Sequence, residues 1–64
     1  MDTNTQLYAH IRAYIARIER AVTDSKVRLA DAVIEGDNPK AALHLRDIAE
    51  MHDTLAALHR LLAS

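Results

Sequence analysis

The stretch VIEGDNPKAAL, Val33 to Leu43, holds the only glycine and the only proline of a 64-residue chain. Gly36 accepts the left-handed backbone that ends helices. Asn38 is a good N-cap for a following helix. Pro39 suits the first helical position, where its missing N–H has no partner to lose. One helix therefore stops at Gly36 and another starts at once. So short a connection makes antiparallel neighbours. The predicted fold is all-α: an αα-hairpin with a long helix over about 3–35, a tight turn at 36–38 and a second helix over about 39–63. It forms one domain, 1–64.

Working outward from the turn, both arms show one apolar stripe. In the first arm it runs Tyr8, Ile11, Ile15, Ile18, Val22, Ser25, Leu29 and Ala32, in alternating steps of three and four. That is a heptad-like seam with one polar position, Ser25. Leu7, Tyr14 and Ala21 flank it. In the second arm Ala41, His44, Ile48, Met51, Leu55, Leu58 and Leu62 step the same way, flanked by Leu45 and Leu61. The first helix is expected to begin at a capping box, Thr3 with Gln6. A break at Thr23, Asp24 and Ser25, weak helix formers, is the alternative. With no Gly or Pro there, the sequence predicts one continuous helix.

The two arms differ in length. At about 1.5 Å per residue the first spans roughly 48 Å and the second roughly 37 Å. Folded back at the turn, Ala63 comes opposite Ile11, so Leu7 and Tyr8 carry the stripe into an overhang. Two helices alone cannot enclose a core, and contiguous exposed apolar surface marks an interface. The expected interface residues are Leu7, Tyr8, Ile11, Tyr14, Ile15, Ile18, Val22 and Leu29 on the first helix. On the second they are Ile48, Met51, Leu55, Leu58 and Leu62. The expectation is a homo-oligomer, a multi-helix bundle, or docking onto a larger protein assembly.

Composition agrees. Twelve residues are alanine, there is no Phe, Trp or Cys, and only Tyr8 and Tyr14 are aromatic. This is bundle or coiled-coil composition. Without cysteine there are no disulfides, and a chain this short then usually needs a metal or oligomerisation to be stable. A net charge of -1 provides no field to steer the chain to nucleic acid or membrane. The polar start, MDTNTQLY, does not resemble a secretory signal. No apolar run approaches the ~18 residues of a membrane span. The expected location is the cytoplasm of a bacterial host or a virion, with no membrane contact.

Chemistry is hard to find. His44, His52 and His59 are spaced by eight and seven, which places neighbours roughly 10–12 Å apart along a helix, too far to share one metal. No nucleophile–base pair and no Gly-rich phosphate loop is present. The expectation is no catalytic residue, no metal and no cofactor. Ser25 reads as a register-setting position or as a serine bonding back to the carbonyl four residues before. Arg20–Asp24–Arg28 and Arg46–Glu50 read as i,i+4 ladders on a solvated face, with Asp31 and Glu35 continuing at the same spacing. One asymmetry remains. The open end holds Arg12, Arg17, Arg20 and Arg60, candidate phosphate contacts, while the turn end is acidic.

Two resemblances follow. The architecture is similar to the plasmid-encoded Rop protein, a helix hairpin of nearly this length that dimerises into a four-helix bundle and binds RNA. That likeness carries over no residue. RLADAVIEG (Arg28 to Gly36), followed by LRDIAEMHDTLAALHRLL (Leu45 to Leu62), resembles small helical proteins of tailed bacteriophages. Those proteins commonly carry Tyr-Arg at the start of the second segment and glycines within it. Leu45–Arg46 stands in for the first here, and Ala49 and Thr54 for small positions. This resemblance implies a phage setting, as a virion or assembly component, and assigns no site. The leading expectation is a non-enzymatic structural or interaction protein. The alternatives are a Rop-like nucleic-acid-binding dimer and a small phage inhibitor that binds a host protein or a nucleotide signal.

Overall fold

The computed structural model describes residues 3–64, and these form two helices: α1, Thr3–Glu35, and α2, Asn38–Ala63. They lie side by side as an antiparallel hairpin, a rod of 53 × 16 × 12 Å. The chain is the all-α hairpin that Gly36 and Pro39 foretell. α1 runs unbroken through Ser25. Thr3 is already the first residue of α1, so it stands inside the helix and not before it as a cap.

The turn is built from backbone hydrogen bonds. Gly36 has φ 75°, the left-handed conformation. Its N–H donates to the Val33 carbonyl at 3.1 Å, and the Asp37 N–H donates to the Ala32 carbonyl at 2.9 Å. This nested pair is the Schellman motif, and it satisfies two carbonyls that the end of α1 would otherwise leave unpaired. The cap of α2 is Asp37, not the expected Asn38. The Asp37 carboxylate accepts from the Lys40 N–H at 3.1 Å, and its carbonyl accepts from the Ala41 N–H at 2.9 Å. Asn38 is the first helical residue and Pro39 follows within the first turn, where an N–H is not needed.

The stripe read from spacing is the contact between the helices. Ile15, Ile18, Val22, Ala32 and Ala41 are buried. Every other position of the two stripes, from Tyr8 to Leu62, is half-buried, and every described residue off them is exposed. The reason is geometric. Steps of three and four keep one line of side chains toward the partner helix. Ala32, fully covered, and Ala41 sit just either side of the turn, where small side chains let the helices approach closely.

Several polar expectations change. Ser25 is half-buried and makes no bond to a carbonyl four residues back. Thr23 makes that bond instead, donating to the Glu19 carbonyl at 3.2 Å, and Thr54 does the same to Glu50 at 3.1 Å. Of the predicted ladders only Arg46–Glu50 closes, at 3.9 Å, among the described residues. Arg20, Asp24 and Arg28 extend into solvent, where holding two long side chains together costs about what the pair returns, and Asp31 and Glu35, both acidic, have no attraction to close.

Candidate functional site

The stripe divides the hairpin surface into two flanks. Residues one step before Tyr8, Ile15, Val22 and Leu29 on α1, and before Ala41, Ile48, Leu55 and Leu62 on α2, lie on one flank: Leu7, Tyr14, Ala21 and Arg28, continued by Glu35, and Lys40, Asp47, Thr54 and Leu61. His10, Arg17, Asp24 and Asp31 of α1 and Leu43 and Glu50 of α2 border the same flank. The structure brings the two rows together. One open groove is lined by Tyr14, Ile18, Asp47, Glu50, Met51 and Thr54, and a second, nearer the turn, by Arg28, Asp31, Glu35, Lys40 and His44. A third groove lies on the other flank, between Glu19, Thr23 and Lys26 of α1 and His52 of α2. All three are furrows between adjacent helices and not enclosed pockets.

The thirteen expected interface residues fall into three groups. Ile15, Ile18 and Val22 are buried within the single chain, covered by α2. Tyr8, Ile11, Leu29, Ile48, Met51, Leu55, Leu58 and Leu62 are half-buried. Leu7 and Tyr14 are exposed, at 54% and 52%. Leu61, with 54% of its surface exposed, joins them on the same flank at the open end.

Spacing did not single out Val27, Val33, Ile34 and Leu43, which are also large, apolar and exposed. A signal for two of them is present in the sequence. Ala9, Ala13, Ala16, Arg20, Thr23, Val27, Ala30 and Ile34 form a second line in steps of four and three on the back of α1. The stronger stripe of Ile and Leu hides it.

The four arginines expected to meet phosphates are all exposed, and they do not share a face. At about 100° per residue, Arg12, Arg20 and Arg17 spread over about 140° of α1, and Arg60 stands on α2. None of the three grooves is lined by any of them. Comparison with protein-family models, with curated proteins and with solved structures finds no match for this chain.

The histidines part company. His10, His52 and His59 are exposed. His44 lies in the seam, and its Nε2 is buried without a hydrogen-bond partner among the described residues. Among the described residues no three His, Asp or Glu side chains gather where one metal ion would fit. No described helix is long and apolar enough to cross a membrane.

Proposed function

We propose that this chain is a non-enzymatic association module, a helical hairpin that oligomerises or docks its apolar side onto a larger assembly. The observation that carries this reading is the state of the seam. Five residues are buried, none of them a large side chain fully shielded, while ten positions of the seam stay half-open to water. Burial stabilises by roughly 25 cal/mol per Å² of apolar surface, so the half-open seam retains much of its driving force for a partner. The setting we propose is a tailed phage, with the chain as a small virion or assembly component in the host cytoplasm or the particle. The likeness of Arg28–Gly36 and Leu45–Leu62 to small phage proteins supports that setting.

Absolute mass by light scattering, with helicity and melting followed by circular dichroism over a concentration series, tests the association reading. The expected result is a mass above 7.1 kDa and a Tm that rises with concentration. A monomer that melts cooperatively at one Tm across the series overturns it.

A further inference from the structure

The association reading leaves the partner open, and the inference that follows rests on it. The flank bearing Leu7, Tyr14 and Leu61 is polarised along its length. Its open half, up to Ala21 on α1 and from Thr54 on α2, has no acidic side chain and carries His10 and Arg17. Its turn half carries Asp24, Asp31, Glu35, Asp47 and Glu50 against only Arg28 and Lys40. Exposed apolar bulk is divided too, with Leu7, Tyr14 and Leu61 at the open end and Leu43 at the turn end. A like surface laid parallel would set acid on acid. Laid antiparallel, it sets base on acid.

The area agrees. The chain exposes 4930 Å², whereas a compact monomer of 7.1 kDa exposes about 4,100 Å². The excess, about 800 Å², equals what each partner buries in an interface of standard size.

We propose that a second copy of this chain covers this flank, antiparallel to the first, with the open end of each hairpin over the turn end of the other. The two-fold axis then crosses the pair near Ala21, and α1 lies along α1 of the copy. At about 1.5 Å per residue, Arg17 comes level with Asp24 of the copy, and His10 with its Asp31. Leu61 comes level with Leu43 of the copy, and Tyr14 with Arg28, a cation over a ring face.

The chain has no cysteine, so one introduced thiol reports the arrangement. Ala21 is exposed, and Ala21→Cys leaves the hairpin intact. Beside the two-fold axis it links to its own copy under mild oxidation. Leu7→Cys stands about 20 Å from the axis on each chain and does not link. Light scattering on the unmodified chain, at low and high salt, completes the test. The expected result is a dimer, a covalent dimer from Ala21→Cys alone, and a several-fold weaker dimer at 0.5 M salt (about 4 Å of screening length) than at 0.05 M. A dimer whose Ala21→Cys stays unlinked overturns this arrangement and leaves the association reading standing. A marginal, weakly helical monomer overturns the second copy as partner and leaves association with a different protein. A stably folded monomer overturns both.

Discussion

Gly36 carries the backbone angle on which the hairpin depends. At φ 75° a side chain strains the main chain, although a Cβ there would meet nothing within 4 Å. The demand on this position is one of backbone conformation and not of space. One residue on, Asp37 caps α2 through its carboxylate. Asp37→Ala is therefore expected to lower stability by about 1 kcal/mol, whereas Asn38→Ala changes it by less than about 0.5 kcal/mol. Urea unfolding of the two variants checks this, and the reverse order would return the cap to Asn38. The sequence could not separate the two. Asp and Asn are both capping residues and stand side by side. The choice is made by the end of α1, whose Schellman bonds use Gly36 and Asp37 as the two residues beyond the helix.

Between the helices, the seam changes character from one end to the other. Near the turn it is alanine against alanine, Ala32 and Ala41; in the middle it is Ile15, Ile18 and Val22, large and buried. Ile11, Leu58 and Leu62 at the open end are covered only in part, as are Leu29, His44 and Ile48 nearer the turn. Ala32 is fully covered and Ala41 nearly so, so a larger side chain at Ala32 must displace its neighbours. Ala32→Leu is expected to force the helices apart and to destabilise by about 1–3 kcal/mol, although it adds apolar surface. Thermal melting decides it, since a Tm equal to or above that of the parent would contradict the close approach. All fifteen seam positions were legible as steps of three and four, because helix periodicity alone decides which side chains face the partner helix. The surface beyond the seam was less so. Spacing says which line of residues turns inward, but it is silent on how much of a half-open line a neighbouring helix covers. It also did not single out Val33 and Leu43, which lie outside the dominant stripe.

Over the whole molecule, stability is expected to fall from the turn toward the open end. The turn end has two helix termini satisfied by hydrogen bonds and the buried Ala32 and Ala41, and the open end has exposed Leu7, Tyr14 and Leu61. Amide hydrogen exchange in the isolated chain is expected to be fastest in residues 3–11 and 58–64 and slowest between Ile15 and Ala32. Uniform protection along the rod would count against the gradient. The turn also decides the order of events in folding. Only Gly36 and Asp37 separate the helices, so the first contact across the seam, Ala32 with Ala41, closes a very short loop at little entropic cost. Each later pair forms next to one already made, out to Ile11 and Leu62. The chain closes like a zipper pulled from the turn, a low-contact-order route that is fast. The last teeth to engage, and the first to part, are at the end where a second copy would lay its acidic turn. Assembly would then act as a clasp on the zipper, slowing unfolding far more than it speeds folding.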